Sequence, residues 1–375
     1  MIPLNENLSK LRRSEIRVFT NLARQTPDCV ALTIGEPDFP TPAPVKAAAR
    51  EALERDETHY APNQGTPELR QAIAAFETRR GLPTVPEQVL VTVGATGALY
   101  TALTGILNPG DEVIVLTPAF NLYESITLAA GGKPVPVDIS ETGFQVTRAQ
   151  LESALSSRTR AIVVNSPCNP SGTILNRDSL NAIRDTVLGK DIYLICDNVY
   201  QALSYAPCPD LSLEPELEAQ TILCQSFSKP YAMTGWRVGY LRCREEILER
   251  LLLLNAAEIA AVPTFLQHAA AVALEQDVSA MREVYRRRRD YVTGRLHAMG
   301  LSFPRPEGAF YVFPDIRPYG MSSRDFCLRL IREGGLALIP GSCFGCEGHA
   351  RLSYCYGDSQ LAEGLDRLEA FLKEV

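Results

Sequence analysis

The sequence predicts an α/β fold in which a mostly parallel sheet carries helices on both faces, together with a smaller α+β domain. Two observations support this prediction. From residue 89 to residue 224, apolar runs of strand length alternate with helical segments, which is the pattern of a parallel sheet covered on both faces. The chain also has 375 residues, more than the roughly 250–300 at which a single hydrophobic core stops growing. We therefore expect two domains.

The expected organisation has three parts. Residues 1–40 form an N-terminal arm that joins the small domain, residues 41–275 form the large domain, and residues 276–375 form the small C-terminal domain. A proline-dense loop at 35–42 separates the arm from the main body, because proline does not continue regular structure. After a long helical stretch at 263–300, the alternation gives way to short strands between helices.

Each element follows from a local pattern. Stretches rich in good helix formers predict helices at 14–24, 44–55, 67–80, 99–107, 121–130, 263–300 (as one helix or two) and 359–373. Short apolar runs predict strands at 30–34, 89–93, 112–116, 161–165, 192–196, 221–224, 309–313, 336–339 and 350–354. Thr66 before Pro67 is typical of a capped helix start. The run Arg286–Arg289 is interpreted as a solvated helix face without a role.

Composition and charge argue against several classes of function. The 37 basic and 44 acidic residues give a net charge of −7, which argues against nucleic-acid binding driven by overall charge. We find no signal peptide, and the apolar run that begins at Leu251 is too short for a membrane span. Ten scattered cysteines suggest free thiols in the cytoplasm. Cys343 and Cys346, with His349 close behind, are interpreted as incidental thiols in a glycine-rich loop, so we predict no metal site.

Polar motifs follow five of the predicted strands. They are Gly94–Ala98, Thr117–Phe120, Ser166–Gly172, Asp197–Tyr200 and the stretch Ser226–Gly239. In open α/β sheets, ligands bind beyond the carboxyl ends of the strands. Each motif alone is weak, but their convergence at one edge of a sheet predicts a functional site there.

The last of these motifs contains the most informative side chain. Lys229 lies among the hydroxyls of Ser226 and Ser228, and Arg237 follows eight residues later. Burial near other cations lowers the pKa of a lysine, so that its amine can form a Schiff base with a carbonyl. The hydroxyls and the guanidinium are suited to hold a phosphate. The alternative is a solvated surface lysine beside a glycine turn.

The other strand-end residues complete the set that an aldehyde cofactor of the pyridoxal phosphate type requires. Asp197 suits an ion pair with the pyridinium nitrogen, and Asn169 and Tyr200 suit hydrogen bonds to the phenolic oxygen. The phosphate site would include the amides of Ala95 and Thr96. Phe120 would stack on the ring. The alternatives are a strand-end aspartate, a turn asparagine, a half-buried tyrosine and a core phenylalanine.

In these motifs the chain resembles the class I/II aminotransferases, which are pyridoxal phosphate enzymes of fold type I, and within them the bacterial broad-specificity and aromatic branch. The resemblance covers nearly the whole chain. It is carried in order by Thr33–Phe39, Tyr60 with Gly65, Gly94–Ala98, Asn169–Gly172, Asp197–Tyr200, Ser226–Lys229, Gly235–Gly239 and Arg351–Ser353. It implies a mostly parallel sheet of the seven-stranded type.

The resemblance also implies roles and partners. Arg351 binds the substrate α-carboxylate, assisted by Asn169 and the Gly35 amide. Tyr60 reaches the phosphate in a neighbouring subunit, so a homodimer with shared active sites is expected. Lys229 would carry pyridoxal 5′-phosphate and move the Cα proton, with Asp197 and Tyr200 as further catalytic residues. One departure is Asn198-Val199, which replaces a more usual acidic-apolar pair.

The expected activity is ping-pong transfer of an amino group from an L-amino acid, with aromatic or large neutral side chains favoured, to a 2-oxo acid such as 2-oxoglutarate. A carbon–sulfur β-lyase on the same fold is the main alternative. A non-enzymatic pyridoxal phosphate-binding regulator is more remote, because the match begins by Gly35 and leaves no room for an appended module. A strict dicarboxylate enzyme would need a second cation for the distal carboxylate, and the sequence does not identify one.

Overall fold

The computed structural model describes Ile2 and residues 4–375. Within these residues the chain forms twelve α-helices and twelve strands. The helices are α1 Glu15–Gln25, α2 Ala43–Glu54, α3 Pro67–Arg79, α4 Gly94–Ile106, α5 Leu122–Ala129, α6 Arg148–Ala154, α7 Arg177–Val187, α8 Glu245–Ile259, α9 Thr264–Ala273, α10 Ser279–Ala298, α11 Ser323–Arg332 and α12 Asp358–Leu372. The strands are β1 Val30–Ala31, β2 Val89–Thr92, β3 Glu112–Thr117, β4 Lys133–Asp138, β5 Thr159–Asn165, β6 Tyr193–Asp197, β7 Thr221–Ser226, β8 Gly239–Arg242, β9 Tyr311–Val312, β10 Leu336–Ala337, β11 Ile339–Pro340 and β12 Ala350–Ser353.

A seven-stranded sheet in the order β2-β8-β7-β6-β5-β3-β4 forms the centre of the fold. Strand β8 is antiparallel to both of its neighbours, and the other pairings in this sheet are parallel. Every residue of β2, β3 and β7 is buried, as expected for strands covered on both faces. The predicted α/β fold with a mostly parallel sheet is confirmed.

Successive residues of a strand point to opposite faces of this sheet. On β5, Ile162 belongs to a hydrophobic cluster with residues of α6 and α7, whereas Val163 belongs to a cluster with residues of α4, α5 and α8. Helices therefore cover both faces and leave the carboxyl ends of the parallel strands free to carry a site. No helix among the described residues is both long and apolar enough to cross a bilayer.

A third hydrophobic cluster joins the N-terminal arm to the C-terminal elements. Phe19 of α1 is buried in the same cluster as Phe310 and Leu365. Strand β1 pairs in parallel with β10, with Val30 opposite Leu336. Strands β11, β12 and β9 form a separate antiparallel sheet. The domain boundaries near residues 40 and 275 stay a prediction.

Some predicted elements differ from the structure. The helix after β2 begins at Gly94 and not at Leu99, because tertiary context overrides the low helix propensity of glycine. The predicted strand at 30–34 is only two residues long, and 336–339 divides between β10 and β11. The stretch at 263–300 forms two helices, α9 and α10. Strands β4 and β8 and helices α6 and α7 were not predicted.

The interpretation of Arg286–Arg289 as a solvated face is wrong for two of the four residues. Consecutive residues of a helix point about 100° apart, so four in a row do not share one face. Arg289 is buried and donates to the Pro306 carbonyl oxygen at 3.1 Å. Arg288 donates to both carboxylate oxygens of Asp38 at 2.8 Å. Arg288 thus connects α10 to the proline-dense loop after β1.

Candidate active site

A cavity of about 1140 Å³ lies at the carboxyl ends of β2, β3, β5, β6 and β7. It brings together the predicted site residues from all five strand ends and from two distant segments of the chain. They are Gly35, Ala95, Thr96, Phe120, Asn169, Asp197, Tyr200, Ser226, Ser228, Lys229, Arg237 and Arg351. Tyr60 does not line the cavity, and 93% of its surface is exposed.

Lys229 follows β7 and has a depressed pKa. Burial lowers the pKa of its amine to about 8. Cys355 and Glu36 raise the pKa, whereas the positive charges of Arg237 and Arg351 lower it further. The group therefore loses its proton far more readily than an ordinary lysine.

The amine of Lys229 is held by the loop that contains Gly35. Nζ donates to the Gly35 carbonyl oxygen at 2.7 Å. A Cβ atom at position 35 would lie 1.7 Å from the Tyr311 hydroxyl oxygen. Only glycine fits there, so the loop backbone can approach both Lys229 and Tyr311.

Asp197, the last residue of β6, is a buried carboxylate. Burial raises its pKa to about 6. The Tyr123 hydroxyl donates to its Oδ2 at 2.5 Å, and the Val199 amide donates to its Oδ1 at 3.4 Å. These hydrogen bonds and the charge of Lys229 lower the pKa and so limit the rise. The carboxylate is fixed in orientation and is mostly ionised at pH 7.

Tyr200 and Tyr311 form a pair in the wall of the cavity. Their hydroxyl oxygens are 2.8 Å apart, with either group able to donate, and both side chains are buried. Burial raises the pKa of both hydroxyls, so both remain neutral hydrogen-bonding groups. Tyr311 was predicted only as part of a strand, although it contacts the site.

Arg351, on β12, is 2% exposed. Its Nη1 donates to the Asn169 side-chain oxygen at 2.8 Å and its Nη2 donates to the Thr33 carbonyl oxygen at 2.5 Å. The guanidinium also lies over the rings of Tyr311 and Phe344, 4.6 and 4.8 Å from their centroids. These partners are neutral, and a buried cation without a counter-ion is costly, so the group is suited to receive an anionic ligand.

The backbone around Asn169 is fixed by a neighbouring asparagine. Asn165 donates from its amide to the Asp197 carbonyl oxygen at 2.9 Å, and its side-chain oxygen accepts from the Asn169 backbone amide at 2.9 Å. One side chain therefore connects the ends of β5 and β6. This connection holds Asn169 and Asp197 in a fixed relation.

A polar cradle lies where β2, α4 and β7 meet. Ala95 and Thr96 are in the first turn of α4, where amides lack helical partners and the helix end is positive. The Ser228 amide donates to Ser226 Oγ at 3.1 Å, and Arg237 Nη1 lies 3.5 Å from Ser228 Oγ. This combination of amides, hydroxyls and a guanidinium suits a phosphate.

Gly94 allows this cradle to form. Its φ is +65°, and a Cβ atom there would lie 2.7 Å from Arg237 Nη2. Arg237 itself has a φ of 55°, in the left-handed region that non-glycine residues seldom adopt. The close approach brings the guanidinium over the start of α4.

Several residues of the site were missed in the sequence. Tyr123 of α5 reaches Asp197 from a helix that carried no motif. Its ring packs edge to face against Phe120, with the ring centroids 6.2 Å apart. The arm also contributes four exposed arginines to the cavity lining, Arg12, Arg13, Arg17 and Arg24. The signal that could have identified these residues is the high density of arginine between residues 12 and 24.

The glycine-rich loop that contains Cys343 and Cys346 is not part of this cavity. Cys346 Sγ lies 3.5 Å from His349 Nδ1. Among the residues that the structure describes, no group of three or more His, Cys, Asp or Glu residues is arranged to hold a metal ion. All ten cysteines are free thiols.

Comparison with known proteins places this chain in a family. The family profile described as "Aminotransferase class I and II" matches residues 27–368. The aspartate aminotransferase of Pyrococcus abyssi and the aromatic-amino-acid aminotransferase 2 of Thermococcus litoralis are each 38% identical, covering 99% of this chain and 98% of the relative. The solved structure of aspartate aminotransferase from Thermus thermophilus with maleate matches with a TM-score of 0.94 at 36% identity, covering 99% of this chain and 100% of that chain.

The match extends over the whole architecture, so the fold is that of the pyridoxal phosphate enzymes of fold type I. Within that class, the chain belongs to the aminotransferase class I and II family. The predicted family resemblance and the predicted enzyme class, a transaminase, are confirmed.

Proposed function

We propose that the enzyme binds pyridoxal 5′-phosphate on Lys229 and transfers the amino group of an aromatic or large neutral L-amino acid to a 2-oxo acid, 2-oxoglutarate, by a ping-pong mechanism. The observation that carries this proposal is the buried Lys229 amine, with a pKa of about 8, in one cavity with Asp197 and Arg351. Family members use this cofactor.

The residues present fit the cofactor. The cradle of Ala95, Thr96, Ser226, Ser228 and Arg237 would hold its phosphate. When bound, the cofactor supplies an electron sink that makes the substrate Cα proton acidic. The cavity thus contains the three groups that the cofactor requires: an amine, a carboxylate and a cradle for an anion.

Two further contacts would orient the ring. Asp197 would face the pyridinium nitrogen, and its ionised carboxylate would keep that nitrogen protonated. Asn169 and Tyr200 would donate to the phenolic oxygen, and Phe120 would pack against the ring face. The Tyr123 hydroxyl at 2.5 Å would hold the Asp197 carboxylate in place during this interaction.

Lys229 would then act as general base and acid. At pH 7 a pKa of about 8 leaves about a tenth of such amines neutral, against well under a thousandth at the ordinary value. Nζ would take the Cα proton of the bound amino acid and return it in the transfer. In this structure Nζ donates to the Gly35 carbonyl oxygen at 2.7 Å, so the loop that contains Gly35 would help to orient the amine.

Arg351 would bind the α-carboxylate that every amino acid and 2-oxo acid shares. Its neutral partners, Asn169 and the Thr33 carbonyl, fix the guanidinium without neutralising it. Asn169 and the Gly35 amide would assist at the carboxylate. Selection among substrates must therefore come from the rest of the cavity.

The rest of the cavity lining contains both apolar side chains and arginines, which would suit two kinds of substrate side chain. Apolar groups from the arm and from α4 and α5 would pack against an aromatic or large neutral side chain; they are Ile16, Val18, Leu99 and Leu122. The arginines at 12, 13, 17 and 24 would attract the distal carboxylate of a 2-oxo acid such as 2-oxoglutarate. They would supply the second cation that the sequence did not identify. The Thermus thermophilus aspartate aminotransferase whose structure matches this chain was solved with maleate, which is a dicarboxylate.

We also propose a cytoplasmic homodimer. Tyr60 is 93% exposed, an unusual exposure for an aromatic ring, and it would reach the phosphate cradle of the partner subunit. The ten free thiols support a reducing compartment. A dimer that loses activity on Tyr60→Ala without dissociating would support the shared site.

The test is a half-reaction with purified holoenzyme and single amino acids. Aromatic and large neutral amino acids should convert the absorption of the bound cofactor to that of its amine form, and 2-oxoglutarate should restore the original spectrum. A panel without any such conversion would contradict the proposal. Release of ammonia and pyruvate from cystathionine or cystine without an acceptor would instead select the β-lyase.

A further inference from the structure

The turn Asp197–Tyr200 carries two residues of the active site and is held from outside the cavity. Asn198 follows Asp197, and Gln201 follows Tyr200. The Asn198 side-chain amide donates to Asp210 Oδ2 at 2.8 Å, and the Gln201 side-chain amide donates to the same oxygen at 2.8 Å. Asp210 does not line the cavity, yet it contacts one residue inside the turn, Asn198, and the residue that follows the turn, Gln201.

Asp210 is itself rigidly fixed. Its side chain is 3% exposed, and its second oxygen, Oδ1, accepts from the Ser212 amide at 2.9 Å. Arg80 Nη2 lies 3.3 Å from Oδ2. A buried carboxylate with three neutral donors and one cationic partner is held in a defined orientation. Its position therefore constrains both amide side chains that donate to it.

The charge of Arg80 is shared with a second buried carboxylate. Arg80 Nη1 is 2.7 Å from Glu77 Oε2, and the Tyr240 hydroxyl donates to Glu77 Oε1 at 2.5 Å. Glu77 lies on α3 and Tyr240 on β8. Through Arg80 and Glu77, Asp210 is therefore connected to α3 and to β8. These connections hold Asp210 in place beside the turn.

We propose that Asp210 is a positioning residue of the active site, which fixes the orientation of Asp197 and Tyr200 by clamping Asn198 and Gln201. The proposal rests on the proposed function. Asn198 fits this arrangement because an acidic residue at 198 would place a second carboxylate against Asp210, to which the Asn198 amide donates. An asparagine at 198 and an aspartate at 210 are thus complementary.

The complementarity can be tested by exchanging the two groups. Asn198→Asp sets two buried carboxylates against each other, and Asp210→Ala removes the common acceptor. Each should lower kcat about 10- to 100-fold, because a displacement of site groups by about 1 Å costs this much. Each should also shift the pH midpoint of the bound cofactor's absorption. The double variant Asn198→Asp/Asp210→Asn restores one donor and one acceptor and should recover most of the loss that Asn198→Asp causes.

The matched control is Asp191→Asn. Asp191 is exposed and lies just before the opposite end of β6, so kcat and the spectral midpoint should not change. Circular dichroism and the Tm of each variant show whether it is folded. Folded single variants with the kcat and spectral midpoint of the natural protein would overturn the proposal, as would a double variant no better than Asn198→Asp. A natural holoenzyme without half-reaction activity would count against the proposed function, and the spectral midpoints would still test the clamp.

Discussion

The cavity has two walls that are built in different ways. The sheet wall consists of Asn169, Asp197, Tyr200, Lys229 and Arg351, whose polar groups are buried or nearly so and are held by specific hydrogen bonds. The arm wall consists of the exposed arginines at 12, 13, 17 and 24. Within the described residues none of these four forms an ion pair, although Arg324 nearby pairs with Glu15.

This difference separates two tasks. Polar groups stabilise developing charge most effectively when they are shielded from water and held in one orientation. The side chains of the sheet wall meet both conditions. Exposed cations without partners remain available to a ligand and adapt to its length, but each contributes little in water. Changes in the sheet wall should therefore affect the reaction of every substrate, whereas changes in the arm wall should affect only substrates with a distal carboxylate.

The largest expected effect is that of Lys229→Ala. Loss of the amine removes both the attachment of the cofactor and the general base, so kcat should fall about 10⁴-fold or more. The measurement is turnover with saturating amino acid and 2-oxo acid, together with the absorption spectrum of the cofactor-loaded protein. Retention of the natural spectrum and rate would show that another group carries the chemistry.

The pH dependence of cofactor uptake should reveal the unusual pKa of Lys229. Only a neutral amine attacks an aldehyde, so the rate of covalent attachment to cofactor-free enzyme should rise with pH and level off above about 8. At pH 8 this makes the amine about 10²-fold more reactive than a lysine with the ordinary pKa, through its larger neutral fraction. A rate that still rises steeply at pH 10 would contradict the burial argument.

Asp197→Asn should separate function from stability. A neutral amide does not keep a pyridinium protonated, so kcat should fall about 10²- to 10³-fold. Burial raises the pKa of Asp197 to about 6, which means that the fold disfavours its charged form above the unfolded pKa. In cofactor-free protein at pH 7 the variant should therefore have an equal or higher Tm. A lower Tm would show that the carboxylate is stabilising in the fold.

Arg351→Lys keeps the charge and removes the planar fork. For every amino acid and every 2-oxo acid, KM should rise about 10- to 100-fold, since charge-assisted hydrogen bonds contribute about 1.5–3 kcal/mol. The rise should be similar for aromatic and dicarboxylic substrates. A rise confined to one class would assign Arg351 to side-chain recognition and not to the shared carboxylate.

The smallest and most selective effect is expected at the arm. In the variant Arg13→Ala/Arg17→Ala, the acceptor 2-oxoglutarate should show a rise in KM by about 5- to 30-fold, from two interactions of at most about 1 kcal/mol each. For an aromatic amino acid, KM should change less than about twofold. Arg50→Ala, which removes an exposed arginine of α2 away from the cavity, is the control. An equal rise for both substrates would contradict a selective arm.

The two walls also differ in how far the sequence predicts them. Asp197 and Lys229 follow buried apolar strands, and the sheet rule places such strand ends together, so the sheet wall could be predicted. Tyr123 could not, because it reaches Asp197 from one face of a helix without a motif. The start of α4 was missed because Gly94 and Gly97 disfavour a helix locally. The positive φ of Gly94 and the close approach of Arg237 explain the glycine at 94, and neither is visible in the sequence.

The arm arginines were missed and Arg288 was misinterpreted for a common reason. Charged residues on helices are usually solvated, and a sequence does not show which of them faces a cavity or a distant carboxylate. Arg288 meets Asp38 across 250 residues, and the arm is joined to the C-terminal elements by Phe19 and by the ion pair between Glu15 and Arg324. These contacts depend on long-range packing, which local patterns do not contain.

The central claim is that Lys229 is the amine that carries the cofactor. Borohydride reduction of the pyridoxal phosphate-loaded enzyme, followed by peptide mapping by mass spectrometry, tests it most directly. We expect the reduced cofactor on Lys229 alone, and we expect prior incubation with a reactive amino acid to abolish the labelling. Labelling of another lysine, or labelling that the amino acid does not affect, would contradict the claim.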